Sequence, residues 1–284
     1  MNNPIISRVV TCFEQWNYVR KWYLIDELFP EGVEWIFIND APHDPFPRDI
    51  KLILKKKNAR IFSHKFNQGR CIARNWGAQL ANGLWVEHID GDDLPLKIDL
   101  SHLNNHNDKE ILAFKTGYHE NSHFENLINE RNNIPIIENQ NAYFDFLLPN
   151  YVPIDPRPVG TLWNREAFLS IGGYDGRYES IEDLHLVWKA HKAKLRIAHI
   201  DICKQSHFRG TQKPTPLVLG PGFINFWNLV KKTDDQNIHL INNEIVNATK
   251  VFYWSSLGQL EKLKLDTLKF KIKETIKWFL SMLC

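Results

Sequence analysis

Residues 69 to 90 read GRCIARNWGAQLANGLWVEHID, and this stretch decides the fold class. Its first part, through residue 82, has the pattern of a helix, and LWVEHID has the pattern of a strand. The same alternation precedes it, with strands predicted over ISRVVTCF, VEWIFIND and ARIFSHKF and helices over QWNYVRKWYLIDELF and PRDIKLILKKK. Strands that alternate with helices indicate βαβ units, so we expect an α/β fold with a mainly parallel sheet flanked by helices.

The rest of the chain is less regular. KEILAFKTGYH is predicted to be a strand, and the polar, Asn-rich segment after it is expected to be a loop that shapes a pocket. After Pro156 we expect a short strand, a helix, a Gly-Gly turn, a second helix and another strand. Prolines and glycines between Gly210 and Gly222 mark a connector, and residues from 223 to 284 are predicted to be helical.

Composition excludes several classes of protein. The chain has 284 residues, 43% of them hydrophobic, and a net charge of +2, so we expect a folded core and no general attraction to nucleic acid. The four cysteines form no C-x-x-C pair, which argues against a zinc site or a disulfide framework. The N-terminus lacks a signal-peptide pattern and no apolar run has the length of a membrane span, so we expect a cytoplasmic protein.

Polar side chains follow the first four predicted strands where each strand ends. These residues are Thr11 to Glu14, Asn39 and Asp40, Asn67 to Gly69, and Asp90 to Asp93. Because ligands of such sheets bind beyond the carboxyl ends of the strands, we expect these residues to line one cleft.

The acidic turn Asp90-Gly91-Asp92-Asp93 is the most unusual of these ends. Its carboxylates repel one another unless a cation lies among them, and oxygen ligands suit Mg²⁺ and Mn²⁺. Gly91 lets a phosphate approach the backbone. An EF-hand is excluded because the glycine lies between the acids. The alternative is a polar turn that Pro95 helps to form.

An ordered series of motifs extends this interpretation: VVTCFEQWNYV, FINDAPHD, NQGRCIARNWGAQLANG, IDGDD, GGYDGRY, SIEDLHLVWKA and SHFRG. The series resembles the family 2 glycosyltransferases of the GT-A (Rossmann-like) fold, which are inverting enzymes that use nucleotide sugars. The resemblance covers residues 6 to 210, and its most specific part is N-x-G-x-x-x-A-R-N-x-G at residues 67 to 77. It implies a GT-A catalytic domain over residues 1–215 and a helical C-terminal extension over residues 216–284.

The resemblance also implies roles for individual residues. Those expected to bind the nucleotide are Thr11, Phe13, Glu14, Asp40, Asn67, Gly69, Arg74, Asp90 and Gly91. Those expected to hold Mn²⁺ or Mg²⁺ are Asp92, Asp90 and His207, and those expected to contact the acceptor or sugar are Asp93, Glu182 and Trp163. The expected catalytic base is Asp183.

Structural alternatives exist for several of these residues. Asp40 precedes Pro42 and could form a turn with its own backbone, and Arg74 could form a salt bridge with an acid of the D-G-D-D turn. Ser180 to Asp183 also fit a capping box at a helix start, a role compatible with catalysis. The chain departs from the family pattern with Asn39 for the first acid of the second turn, and with His185 and Lys189 later.

The C-terminal tail has the pattern of an amphipathic basic helix. Its apolar positions are Leu265, Leu268, Ile272, Ile276, Phe279 and Leu283, with lysines largely on the other side. One interpretation is peripheral attachment to an anionic membrane surface, at the cytoplasmic face of the inner membrane. The alternative is a helix that packs on the catalytic domain or forms an oligomer contact.

The implied function is metal-dependent, inverting transfer of a sugar from a UDP-sugar to a hydroxyl of a glycan or lipid-linked acceptor, in bacterial surface polysaccharide synthesis. A sugar nucleotidyltransferase is the first alternative, but it requires a Gly-rich phosphate loop with a Lys or Arg after the first strand, and TCFEQW has neither. A non-catalytic sugar-binding module is the second, and we expect such a module to lose acids that this chain keeps.

Overall fold

The structure, a computed structural model, describes residues 4–95, 100, 103, 106, 108–119, 161–178, 182–208 and 229. The Asn-rich segment, the domain boundary near residue 215 and the predicted C-terminal helix lie outside these residues, and those expectations stay predictions.

One sheet organises the described part of the chain, and eight strands of it are seen there. They are β1 (Ile6–Cys12), β2 (Val33–Asn39), β3 (Arg60–Ser63), β4 (Trp85–Asp90), β5 (Leu94–Pro95), β6 (Ile111–His119), β7 (Thr161–Asn164) and β8 (Ile197–Phe208). Their order is β3-β2-β1-β4-β7-β6-β8-β5. Strands β3, β2, β1 and β4 are parallel to one another, and β7 runs antiparallel to both β4 and β6. The predicted α/β fold is therefore confirmed.

Helices cover both faces of the sheet. They are α1 (Trp16–Trp22), α2 (Arg48–Lys56), α3 (Arg70–Leu80), α4 (Arg165–Ser170) and α5 (Glu182–Lys192). Val10 of β1 packs with residues of α1 and α2, whereas Val9 packs with residues of α3, α4 and α5. Because successive side chains of a strand point to opposite faces, β1 is buried on both sides. In the described part of the chain, no helix has the length and apolar character needed to cross a membrane.

The first helix is shorter than its apolar spacing predicts. It ends at Trp22, and a separate 3-10 turn forms over Asp26–Leu28. Leu24, which lies within the predicted helix, follows its observed end and is 60% exposed. The chain turns here because the carbonyl of Leu28 accepts a hydrogen bond from the indole of Trp35 at 3.1 Å, and both side chains enter the same core.

Helix α3 packs unusually close to β1. A Cβ atom on Gly77 would lie 2.1 Å from Cγ1 of Val9, so only glycine fits at this position. The first half of α3 lies at the edge of the sheet where the strands end, because Arg74 contacts Asp90 at the end of β4.

The parallel strands end at one edge, as predicted. Cys12 is aligned with Asn39, Asn39 with Ser63, and Thr11 with Asp90. The polar residues that follow these strands therefore share one rim of the sheet, which is where ligands of such sheets bind.

Candidate active site

The acidic turn is tied to the first strand. The amide of Gly91 donates to the carbonyl of Thr11 at 2.9 Å, and the amide of Asp93 donates to the carbonyl of Asp90 at 3.0 Å. These bonds leave Asp90 and Asp92 partly exposed, whereas Asp93 is fully buried. Because Asp93 is enclosed, its expected contact with acceptor or sugar is not supported.

Gly91 accommodates the loop that follows β1. A Cβ atom there would lie 2.8 Å from Oε1 of Gln15 and 3.0 Å from Sγ of Cys12. The same side chain of Gln15 accepts a hydrogen bond from the amide of Phe13 at 3.4 Å. Glycine is therefore needed at position 91 so that this loop can lie against the acidic turn. The sequence pattern predicted a different reason for the glycine, the approach of a phosphate.

Arg74 lies at the centre of the site. Its Nη2 donates to both carboxylate oxygens of Asp90, at 2.8 and 3.0 Å, and its Nη1 lies 3.3 Å from Oε1 of Glu182 and 3.8 Å from Oδ1 of Asp183. The side chain is 1% exposed. The structure therefore shows the alternative role for Arg74, a salt bridge with an acid of the D-G-D-D turn. Because the guanidinium is buried, the expected contact of Arg74 with a nucleotide is not supported.

The acids of the E-D motif occupy the first turn of α5, but they differ in surroundings. Glu182 is 2% exposed and is paired with Arg70, whose Nε lies 2.6 Å from Oε1, as well as with Arg74. A contact between this carboxylate and an acceptor is therefore not supported. The side chain of Asp183 is 23% exposed, although its Oδ1 atom is buried. Ser180, the cap residue of the predicted capping box, lies outside the described residues.

The electrostatic surroundings of Asp183 suit a group that accepts a proton. Burial and then the neighbouring charge of Glu182 raise the pKa of Asp183 well above the usual carboxyl value, while Arg74 and Arg70 oppose the rise. A raised pKa brings a carboxylate closer to the operating pH, where general-base catalysis is most effective.

Asn75 was not identified from the sequence as a functional position. Its amide donates to the carbonyl of Tyr174 and accepts from the amide of Tyr174, each at 2.8 Å. Gly173 has a φ of 56°, and a Cβ atom there would lie 2.3 Å from Oδ1 of Asn75. The Nζ of Lys189 donates to the carbonyl of Gly173. The Gly-Gly-Tyr-Asp turn is thus held by α3 and α5, and the only sequence signal was the place of Asn75 in the A-R-N motif.

An apolar layer lies beneath the Arg74–Asp90 pair. The ring of His88 is fully buried, with its centroid 5.1 Å from that of Phe168 and 5.3 Å from that of Tyr174. Burial, assisted by the charge of Arg74, lowers the pKa of His88 to about 3. His88 is therefore a neutral packing residue.

Asp40 accepts two hydrogen bonds at the end of β2. Its Oδ1 accepts from Nδ1 of His64 at 2.7 Å and from the amide of Gln68 at 2.9 Å. The His64 ring stacks on that of Trp76, with centroids 4.6 Å apart. The local turn that was the alternative for Asp40 is formed by Asn39 instead. The Oδ1 of Asn39 accepts a hydrogen bond from the amide of Ala41, two residues later, at 3.0 Å. Asp40 is 4% exposed and its Oδ1 faces the next loop, so its expected contact with the nucleotide stays a prediction.

The remaining loop residues lie along the same edge. The hydroxyl of Thr11 donates to Oδ1 of Asp90 at 3.5 Å, and Phe13 is 43% exposed, as a stacking surface requires. The carboxylate of Glu14 is paired with His43.

The loop before α3 is shaped by Asn67 and Gly69. The side chain of Asn67 accepts a hydrogen bond from the amide of Gly69 at 2.9 Å. Gly69 has a φ of 83° and open space where a Cβ atom would lie. The positive φ explains the glycine, and the open space leaves the start of α3 accessible.

The predicted acceptor role of Trp163 is corrected by the structure, whereas the predicted metal role of His207 is not tested by it. Trp163 is 1% exposed and packs against Phe168 in the core, so the structure corrects its expected role at the acceptor. The backbone of His207 follows Ser206, which pairs with Leu94 directly after the acidic turn. The side chain of His207 lies outside the described part, and its metal role stays a prediction.

The acidic turn fits a cation that takes few protein ligands. Among the described side chains, no group of three or more His, Cys, Asp or Glu is arranged to hold a metal ion. Mg²⁺ is commonly held by one or two carboxylates together with phosphate oxygens, and Asp90 and Asp92 supply that number.

Comparisons with known proteins agree with the family resemblance of the sequence. A family model described as glycosyl transferase family 2 matches residues 7–153. An uncharacterized glycosyltransferase of Haemophilus influenzae is 30% identical over 96 residues, which make up 33% of this chain and 38% of that relative. The match therefore spans well under half of the relative's length.

Solved structures share the fold. The crystal structure of S. aureus TarS 1-349 superposes with a TM-score of 0.61 at 15% identity, over 92% of this chain and 75% of that chain. Its complex with UDP gives a TM-score of 0.62 at 16% identity, over 96% of this chain and 77% of that chain. A complex of TarS 1-349 with UDP-GlcNAc also superposes, with a TM-score of 0.62 at 15% identity, over 92% of this chain and 76% of that chain. At this identity the likeness establishes the fold alone.

Proposed function

Because the chain belongs to glycosyl transferase family 2, we propose that it transfers a sugar from a nucleotide diphosphate sugar to a hydroxyl of a glycan or lipid-linked acceptor. The observation that carries the proposal is the placement of Asp90 and Asp183 on two sides of one guanidinium, at the edge where the parallel strands end. One acid lies in the turn suited to a diphosphate, and the other has the raised pKa of a base.

The residues divide the reaction between them. Asp183 accepts the proton of the acceptor hydroxyl while the hydroxyl oxygen forms a bond to the anomeric carbon. The bond from that carbon to the diphosphate oxygen breaks on the opposite face, so the configuration of the sugar is inverted. The nucleotide binds along the rim formed by Thr11, Phe13, Asp40 and Asn67, with Phe13 exposed for stacking on the base.

Asp92 and Asp90 are the residues proposed to hold Mn²⁺ or Mg²⁺, with His207 as a further candidate. When bound, such a cation neutralises charge that develops on the departing diphosphate. The oxygen donors of the acidic turn support this choice of ion.

The donor and the cellular setting belong to the same proposal. TarS was solved with UDP and with UDP-GlcNAc, which makes UDP-sugars the first donors to test. The amphipathic basic pattern of residues 262–283 supports attachment at the cytoplasmic face of the inner membrane, where lipid-linked acceptors of surface polysaccharides are built.

A donor screen tests the proposed function. The full chain is incubated with individual nucleotide sugars and Mn²⁺ without acceptor, and slow release of the nucleoside diphosphate is measured. We expect release from at least one UDP-sugar, and less after Mn²⁺ is chelated. No release from any nucleotide sugar, together with no UDP binding by calorimetry, contradicts the proposal.

A further inference from the structure

We infer that Arg74 is a positioning residue that holds Asp90 and Asp183 relative to each other and does not itself bind the nucleotide. The inference rests on the proposed function, because it assigns Asp183 to the acceptor and Asp90 to the donor side of the reaction. The proposed role of Arg74 is to fix the distance between the acid that serves the donor and the acid that serves the acceptor.

The contacts of the guanidinium carry the inference. The two hydrogen bonds to Asp90 come from Nη2, at 2.8 and 3.0 Å, whereas Nη1 faces Glu182 at 3.3 Å and Asp183 at 3.8 Å. Because the guanidinium is planar and rigid, its two ends set the separation between an acid of β4 and the acids of α5. Glu182 and Asp183 follow Asp90 by 92 and 93 positions, so the bridge joins elements that are distant along the chain.

The orientation of Arg74 is itself constrained. The side chain is 1% exposed, and its guanidinium carbon lies 5.0 Å from the centroid of the Tyr174 ring, a cation–π contact. Asn75, the next residue of α3, holds the backbone of Tyr174 by two hydrogen bonds. The helix that carries Arg74 therefore also fixes the ring against which Arg74 packs.

The Nη1 group of Arg74 is held by Glu182. That carboxylate also contacts Arg70 at 2.6 Å and is 2% exposed. Its negative charge balances the buried guanidinium on the side away from Asp90. Glu182 therefore acts with Arg74 as a positioning residue.

The charge of Arg74 alone does not explain the arrangement. Arg74 lowers the pKa of Asp183 against the effects of burial and Glu182, and a lysine would supply the same charge. An ammonium group, however, is a single point, and it cannot form the paired hydrogen bonds to Asp90 while reaching α5. Substitution by lysine therefore separates the charge of Arg74 from its geometry.

The test is Arg74→Lys in the full chain, with transfer kinetics and calorimetric titration of UDP in the presence of Mn²⁺. We expect kcat for transfer to fall by about 10- to 100-fold, because small misplacements of reacting groups carry such losses. We expect the Kd of UDP to weaken by less than kcat falls, because the buried guanidinium faces protein carboxylates and can act on the nucleotide only through Asp90.

Arg8→Lys is the matched control. Arg8 is also fully buried and pairs with a β4 carboxylate, Glu87, at 2.9 Å. The pair lies on the opposite face of the sheet, against Trp35. We expect Arg8→Lys to lower the melting temperature while kcat stays near the wild-type value, which distinguishes loss of a buried salt bridge from loss of positioning.

Three results overturn the inference. A Kd of UDP weakened by about tenfold or more, with kcat retained at saturating donor, assigns Arg74 to nucleotide binding. Unchanged kcat and Kd show that the bridge is dispensable. Wild-type protein that neither binds UDP nor transfers sugar overturns the proposed function and this inference with it, whereas active wild type with unaffected Arg74→Lys overturns the inference alone.

A second variant serves if Arg74→Lys does not fold. Arg74→Met combined with Glu182→Gln removes both members of the deeply buried ion pair. The groups that lose a partner, Asp90, Asp183 and Arg70, are all partly exposed to solvent. We expect the same loss of kcat with UDP binding retained, in protein with a native circular dichroism spectrum. Retained kcat in this variant contradicts the inference.

Discussion

The side-chain amide of Asn75 forms hydrogen bonds with both main-chain groups of Tyr174, each at 2.8 Å. This pair joins α3 to the Gly-Gly-Tyr-Asp turn across 99 positions of sequence. The turn leads towards α5, so Asn75 links the helix of the A-R-N motif to the segment that precedes Asp183.

Asn75→Ala is expected to destabilise the fold. Two partly buried main-chain groups of Tyr174 lose their partner, and the free energy of unfolding should fall by roughly 2 kcal/mol or more. Urea denaturation measures the change. Asn82→Ala is the control, because Asn82 forms exposed hydrogen bonds with Glu34. Equal losses from both variants would show that the Asn75 contacts have no special weight.

Asp183→Asn is expected to abolish transfer and keep nucleotide binding. A general base contributes about 10²- to 10⁴-fold to the rate, and an amide cannot accept the proton. Transfer is measured with a donor identified by the screen, and UDP binding by calorimetry. Asp108→Asn, at an exposed carboxylate, should leave both unchanged. Retained transfer by Asp183→Asn removes Asp183 as the base.

The pH dependence of kcat/KM should report the raised pKa of Asp183. The base must be ionised, so activity is lost as pH falls through a pKa that lies above the usual carboxyl range. Because Glu182 is the second cause of the rise after burial, Glu182→Gln should move the acid limb to lower pH. Glu166→Gln, an exposed acid in the first turn of α4, should not. An acid limb that stays in place in Glu182→Gln would contradict the assignment.

Asp92→Ala is expected to abolish the metal-dependent part of UDP binding. Asp92 supplies a partly exposed carboxylate in the acidic turn, and its loss leaves fewer oxygen ligands for the cation. Calorimetry with and without Mn²⁺ measures the effect, and Asp26→Ala, at a carboxylate 93% exposed, is the control. Unchanged metal-dependent binding would exclude Asp92 as a ligand.

Acid should destabilise the protein through His185. Its ring stacks on Tyr178 with centroids 3.8 Å apart, and burial, then Lys189, lower its pKa to about 4. The unfolded chain therefore binds a proton that the folded protein excludes, so stability decreases as pH falls from about 6.5 towards 4. The slope from this group is at most about 1.4 kcal/mol per pH unit.

His185→Phe keeps an aromatic ring and removes the titration. Urea denaturation at pH 7 and pH 5 should show a smaller loss of stability than in the wild type. His191→Gln changes an exposed histidine of the same helix and should keep the wild-type loss. An identical loss in His185→Phe would show that His185 does not exclude the proton.

Much of the site's location could be predicted from the sequence. The strand that ends at Asp90 and the helix that begins at Arg70 follow from local spacing, and parallel pairing then places Cys12, Asn39 and Asp90 at one edge. The boundary of α1 could not be predicted, because its end depends on how Leu28 and Trp35 pack in the core.

The roles of individual polar residues were harder to predict. Arg74 has the same chemistry whether it binds a phosphate or a carboxylate, and only its burial beside Asp90 and Glu182 distinguishes the two. The family resemblance implied a contact of Trp163 with the acceptor or sugar, but β7 pairs with β4 and β6 and its Trp163 ring packs in the core.

The sequence by itself determined the α/β architecture, the family, and the edge of the sheet where its acids gather, because these depend on periodicity and on ordered motifs. Only the tertiary structure decided that Arg74 joins Asp90 to the acids of α5, that Glu182 and Asp93 are enclosed, and that Asp183 stays partly exposed beside Arg74. The physical reason is that the partner of a buried charge is set by the packing of distant elements, which no local pattern encodes.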